Sequence, residues 1–300
     1  MRLDLPPASP ALARRGPAWA AWLERLPRLV DEVCAGWQLV PEGEPRTGAA
    51  GLLLPVRSTG GSALLKLGWP HPAAAQEHLA LRAWGGGGAV TLLRADPHRA
   101  ALLVERADPA TDLSTLPVDE ACEVVAGLYG RLHRPPVPQL ERLSERAGRW
   151  SGDLAELRGT ALAPRRFLDQ AARLAADFAT DPGTDAALLH GDLHFGNVLA
   201  VQREPGWLAA NAEPLAGDPA YEVAPLLWHR WEEAVASQDL RGALVDRLYR
   251  VVDGAELDED RVRDWVTVRE MVNVLEASQD PDVDRAWVTL STTVAKAVQR

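Results

Sequence analysis

The sequence predicts an α+β fold in two parts, and three observations carry the prediction. Five short apolar stretches lie before residue 107, separated by turn-forming residues. After Asp112 the apolar residues recur at helical spacing almost to the end. One compact polar motif, His190-Gly-Asp-Leu-His-Phe-Gly-Asn197, interrupts the helical part. Three hundred residues is long for a single core, so two lobes are expected, 1–106 and 107–300.

In the first part, Trp19, Trp22, Leu23, Leu26, Leu29, Val30 and Val33 mark one face of a helix over residues 17–37. A short strand is expected over 37–40, then a polar loop over 41–50 that could approach a phosphate. Residues 51–56 and 63–67 read as paired strands around the Gly60-Gly61 turn. A helix over about 73–84 follows. Gly85 to Gly88 lacks the Lys-Ser/Thr of a phosphate loop and reads as a turn. Residues 89–95 and 99–105 are two further strands around Asp96-Pro97, which completes a five-stranded antiparallel sheet with a leading helix and one more helix. Glu105-Arg106 then marks a connector to the second part.

That second part is mainly helical. Val118, Ala121, Val124, Val125, Leu128 and Leu132 form a stripe in a helix stopped by Arg134-Pro-Pro. Further helices are expected over 140–157, 164–180, 221–237, 240–252, 259–276 and 283–298. A short strand over 206–210 follows the polar motif.

Composition narrows the function. A net charge of −10 argues against a general nucleic-acid binder and suits a cationic small partner. Two cysteines, Cys34 and Cys122, cannot frame a disulfide scaffold and have no metal-ligand spacing, which suits a reducing cytoplasm. Residues 1–10 carry no apolar signal-peptide core, and no apolar run reaches the ~20 residues of a membrane span.

The motif carries the chemistry. His190-x-Asp192 with Asn197 five residues on has the spacing of a phosphoryl-transfer catalytic loop. A carboxylate must take the proton of the attacking hydroxyl, and Asp192 is the candidate base. Asn197 can offer an amide oxygen to a phosphate-bound metal. A second metal ligand, ordinarily Asp, is expected after the next strand, where Asn211 stands. Upstream, Lys66 lies inside an apolar strand and Glu77 eleven residues later in a helix, the pattern of a phosphate-binding lysine and its ion-pair partner.

His190-Gly-Asp-Leu-His-Phe-Gly-Asn197, Gly217-Asp-Pro-Ala-Tyr-Glu-Val-Ala-Pro-Leu-Leu-Trp228, Lys66-Leu-Gly-Trp-Pro-His71 and Arg261-Val-Arg-Asp-Trp265 together resemble the aminoglycoside phosphotransferases, in particular the streptomycin 6-kinase and hydroxyurea phosphotransferase branch. The resemblance runs over about residues 37–298. It implies a bilobal protein-kinase-like fold, with a small antiparallel-sheet N-lobe and a mainly helical C-lobe. It implies ATP as donor, Mg²⁺, and a hydroxyl of a small cationic aminoglycoside-like acceptor. In this scheme Lys66 and Glu77 serve the nucleotide; Glu105 joins them by its place at the lobe connector, where backbone groups can hydrogen-bond adenine. Asp192 is the base, Asn197 and Asn211 face metal, and Glu270 contributes to a carboxylate-rich acceptor cleft. The branch typically reads Ile-Asp-Pro-Lys where this chain has Ala210-Asn211-Ala212-Glu213. Mg²⁺ favours carboxylate oxygen, so the departure raises a second expectation: a weakened kinase-like protein that binds a ligand or partner.

Overall fold

Strand alternation builds the first sheet. In the computed structural model, which describes residues 17–48, 51–69, 72–203, 206–280 and 282–299, Leu52, Leu54 and Val56 of one strand and Ala63, Leu65 and Leu67 of its partner are fully buried. A period of two sends them all to one face. The helix α1 (Pro17–Trp37) lays Trp19, Trp22, Leu26, Val30 and Val33 into the same core. Trp19 stacks on Trp69 at 4.5 Å, closing one end of it. The expectations for residues 1–10, 49–50 and 70–71 fall outside the described residues.

The chain divides into two units, Met1–Asp108 and Pro109–Arg300. The first holds β1 (Val40–Pro41), β2 (Arg46–Gly48), β3 (Gly51–Ser58), β4 (Gly61–Gly68), α2 (Pro72–Trp84), β5 (Leu92–Asp96) and β6 (Ala101–Glu105). These strands make one six-stranded antiparallel sheet in the order β1-β3-β4-β6-β5, with β2 also on β3. The expected five strands are thus corrected to six. The segment read as a polar loop contains β2, because Arg46 to Gly48 find ladder partners in Leu53 to Gly51. Its short polar run carries no apolar alternation, so the pairing is supplied by β3. The first strand begins at Val40 rather than residue 37 because α1 continues through Trp37.

The second unit contains α3 (Val118–Leu132), α4 (Leu143–Leu157), α5 (Arg165–Thr180), α6 (Ala224–Trp228), α7 (Trp231–Ala236), α8 (Leu240–Gly254), α9 (Glu259–Ser278) and α10 (Arg285–Ala297). Short strands frame the polar motif. β8 (Ala187–Leu189) pairs antiparallel with β11 (Leu215–Gly217), and β9 (Val198–Ala200) with β10 (Trp207–Ala209). β7 (Asp108–Asp112) joins β9 on its other side. The helix expected over 221–237 is not continuous. A 3₁₀ turn (Pro219–Val223) leads into α6, and the chain breaks at His229 and Arg230 before α7. Arg230 takes φ 56°, a left-handed conformation that no α-helix continues through. The fold is α+β, an antiparallel sheet unit followed by a mainly helical one. Among the described residues no helix is long and apolar enough to cross a membrane.

Candidate active site

Lys66 and Glu77 meet as expected from their elements. Lys66 sits on β4 between buried Leu65 and Leu67, so the pleat turns it to the other face of the sheet. Its Nζ lies 2.9 Å from Glu77 Oε1 and 2.7 Å from Oε2 on α2. The two side chains are 13% and 4% exposed, so the pair is largely removed from water. Glu105 is engaged by Thr91. Its carboxylate accepts from the Thr91 amide (3.0 Å) and hydroxyl (2.8 Å), and its own amide donates to the Thr91 carbonyl (2.8 Å). The Glu105 side chain is therefore a clasp between Thr91, ahead of β5, and the end of β6, a role that its place at the connector did not announce. A side chain at a strand end has many possible partners, and sequence position alone does not choose among them.

In the second unit, β8 delivers the motif. His190 is fully buried, with Nε2 3.0 Å from the Ala210 carbonyl, and its own carbonyl accepts from the Glu213 amide at 2.9 Å. The loop is thus laced to the segment after β10. Gly191 has φ +83°, and a Cβ there would lie 2.0 Å from the Glu213 carbonyl oxygen, so only glycine fits. Its amide donates to Glu222 Oε1 at 2.6 Å. Glu222 is fully buried, and its Oε2 lies 2.9 Å from His133 Nε2. Tyr129 donates to the Glu222 carbonyl at 2.9 Å and stacks on His133. Burial alone would raise the Glu222 pKa. The His133 bond and charge, with the Gly191 amide, outweigh it and hold the carboxyl below its ordinary value.

Asp192 keeps 39% of its side chain exposed. Asn197 Nδ2 donates to the Asp192 carbonyl (2.8 Å) and to its Oδ2 (3.2 Å). His194 Nε2 lies 3.7 Å from the same Oδ2. His194 also stacks on His229, and burial pulls both imidazoles down to about 4, each further lowered by a neighbouring histidine. The carboxylate therefore stands in reach of a solvent-borne group while its loop is held from behind, the arrangement a general base needs.

Asn211 arrives beside Asn197, and its Nδ2 donates to Asn197 Oδ1 at 3.2 Å. It adopts φ 60°, which asparagine tolerates. The residues here do not fit a Mg²⁺ ion held by protein charge. Two neutral amides bond each other, and the neighbouring carboxylate is Asp192, the candidate base. No group of three His, Cys, Asp or Glu side chains that could hold a metal occurs among the described residues. Asp218 cannot stand in. It is buried under Arg261 Nε, accepts from Trp265 Nε1 at 2.7 Å, and caps the 3₁₀ turn through the Ala220 amide.

Glu270, expected in an acceptor cleft, has no exposure to solvent. It is fully buried on α9, with Oε2 accepting from Asn273 at 3.2 Å and the buried Ser291 of α10 beside it. Burial pushes its carboxyl up to about 8, so it is largely protonated at neutral pH. An enclosed neutral acid does not receive a cation from solvent. Sequence reasoning missed Tyr129, His133 and Glu222. Glu222 stands inside the Gly217 to Trp228 stretch that carries the family resemblance, a usable signal, whereas His133 reads from sequence only as a basic group at a helix C-terminus.

Comparison with known proteins identifies relatives of the chain. Residues 36–280 match the family model described as aminoglycoside/hydroxyurea antibiotic resistance kinase. The chain is 37% identical over 278 residues to a streptomycin 6-kinase of Streptomyces glaucescens, covering 90% of each protein. It is 39% identical over 275 residues to a hydroxyurea phosphotransferase of Kitasatospora aureofaciens, covering 89% of this chain and 78% of that one. Among solved structures, choline kinase LicA from Streptococcus pneumoniae is similar with a TM-score of 0.60 at 13% identity, over 92% of this chain and 99% of that chain.

Proposed function

Because the chain belongs to the aminoglycoside/hydroxyurea antibiotic resistance kinase family, we propose that it transfers the γ-phosphate of ATP to a hydroxyl of a small cationic aminoglycoside-like molecule, streptomycin being the first acceptor to test. The observation that carries this is Asp192, solvent-reaching and fastened through Asn197. In the proposed step the acceptor oxygen bonds to the γ-phosphorus. The bond from that phosphorus to the β,γ-bridging oxygen breaks and ADP leaves. Asp192 accepts the hydroxyl proton. Lys66, ordered by Glu77, neutralises phosphate charge. The net charge of −10 favours the approach of a cation. No step is assigned to magnesium, since the chain offers it amides where a carboxylate is expected.

A second function has one specific observation in its favour, the Asn211–Asn197 hydrogen bond. With that bond in place of a metal-binding carboxylate, the chain would bind its ligands and transfer little. Metal charge stabilisation is worth several kcal/mol, and losing about 3 slows transfer roughly 10²-fold. The deciding experiment is ATP-dependent phosphorylation of streptomycin by the natural chain, Asn211→Asp and Asp192→Asn. Turnover by the natural chain that Asp192→Asn lowers by about 10²- to 10⁴-fold is the expected result. Turnover only in Asn211→Asp would establish the weakened kinase. Transfer that survives Asp192→Asn would overturn the assignment of the base.

A further inference from the structure

His194 belongs to the catalytic loop and His229 to the break between α6 and α7, yet their rings lie face to face, 3.7 Å between centroids and 9° between planes. The stack has a direction. The Gly196 amide donates to His194 Nδ1 at 3.1 Å, which puts the ring proton of the neutral imidazole on Nε2. That nitrogen lies 3.7 Å from Asp192 Oδ2, beyond a direct hydrogen bond but close enough for its N–H dipole to bias the carboxylate. Asn197 Nδ2 addresses the same oxygen. Both orienting groups therefore meet Oδ2, and Oδ1 has no protein donor among the described residues.

His229 is itself held firmly. Its amide donates to the Pro225 carbonyl at 3.1 Å, and its carbonyl accepts from Arg247 Nη1 at 2.8 Å. Arg247 Nη2 also reaches the Arg230 carbonyl, and Arg230 Nη1 donates to the Leu116 carbonyl at 2.9 Å. Two arginines thus fix the turn that presents the ring. The break in the helix has a use on this account, because a continuous helix through residue 229 would give that residue a different backbone direction.

We propose that His229 is a positioning residue, clamping His194 so that the dipole of its Nε2–H, together with the Asn197 hydrogen bond, biases Asp192 at Oδ2 and leaves Oδ1 for the proton of the acceptor hydroxyl. A neutral donor suits this task. It orients the carboxylate without drawing it into an ion pair that would weaken it as a base. The inference rests on the assignment of Asp192 as the base of a phosphotransferase.

The test compares His229→Ala and His229→Phe with the natural chain, or with Asn211→Asp if only that variant turns over, using ATP and streptomycin at pH 8. Thermal unfolding verifies that each variant is folded, and ¹⁵N shifts of the His194 ring report its tautomer. Misplacing a catalytic group by about 1 Å can cost 10²-fold. His229→Ala should lower kcat by about ten-fold with KM for ATP changed less than about two-fold, and His194 should pass from a single Nε2–H tautomer to a mixture. His229→Phe, which keeps a flat ring, should recover most of both. An unchanged kcat in His229→Ala overturns the proposal, as does a phenylalanine variant no faster than the alanine one. No transfer by the natural chain and Asn211→Asp alike overturns it together with the phosphotransferase assignment. That failure is recognisable because it precedes any change at His229.

Discussion

Single residues show how little freedom the loop from His190 to Asn197 has. Gly191 must be glycine on two counts, its positive φ and the 2.0 Å approach that any Cβ would make to the Glu213 carbonyl. Gly191→Ala should cost about 3 kcal/mol or more, read as a lower urea midpoint at unchanged m. Lys66 answers to a different balance. Removing one partner of a largely buried pair leaves an uncompensated charge, at about 3–5 kcal/mol. Lys66→Met should therefore be strongly destabilising and should abolish the thermal shift given by ATP. The double variant Lys66→Met/Glu77→Gln should regain most of the stability and none of the ATP response. Recovery of ATP binding in the double variant would remove Lys66 from the nucleotide site. These positions were legible in the sequence because each belongs to a motif with fixed local spacing. Glu105 and Glu270 were not, because nothing local says which neighbours a carboxylate will meet.

Elements set the positions that motifs require. β8 and β9 hold the two ends of the loop, and the 3₁₀ turn before α6 brings Glu222 under the Gly191 amide. Glu222 joins that turn to α3 through His133 and Tyr129. Glu222→Ala should cost about 2–4 kcal/mol, since it strands a buried amide and the His133 ring nitrogen. It should also slow transfer, by loosening the loop that carries Asp192. Glu222→Gln keeps an acceptor for Gly191 and should restore part of the stability in urea unfolding. Equal losses in both variants would show that the charge, not the hydrogen bond, is what the loop depends on. The helices themselves were readable from their 3.6-residue stripes. The break at His229 was not, since Leu226, Leu227, Trp231 and Ala234 keep an apolar pattern across it. Only the left-handed Arg230, held by carbonyls of distant segments, interrupts the helix.

For the whole molecule, Glu270 makes stability depend on pH in an unusual direction. Its folded-state pKa, about 8, lies above its ordinary 4.5. Between those values the folded chain keeps a proton that the unfolded chain has released. Stability attributable to this group is therefore full below about pH 4.5, falls as pH rises through the window by up to about 1.4 kcal/mol per unit, and levels off above 8. Glu270→Gln should remove that slope, seen as a smaller drop in unfolding free energy between pH 5.5 and 8. An identical slope in the variant would show that Glu270 titrates normally. The sequence by itself determined the α+β class, the order of most strands and helices, the catalytic-loop spacing and the family. Periodicity and motif spacing are properties of contiguous residues, and they survive without a fold. Tertiary structure alone decided that β2 pairs with β3, that Glu105 clasps the sheet and Glu270 is sealed in the core, and that Glu222 and His229 stand behind the loop. Those facts depend on segments tens of residues apart being packed together, and no local pattern encodes which side chains such packing brings face to face.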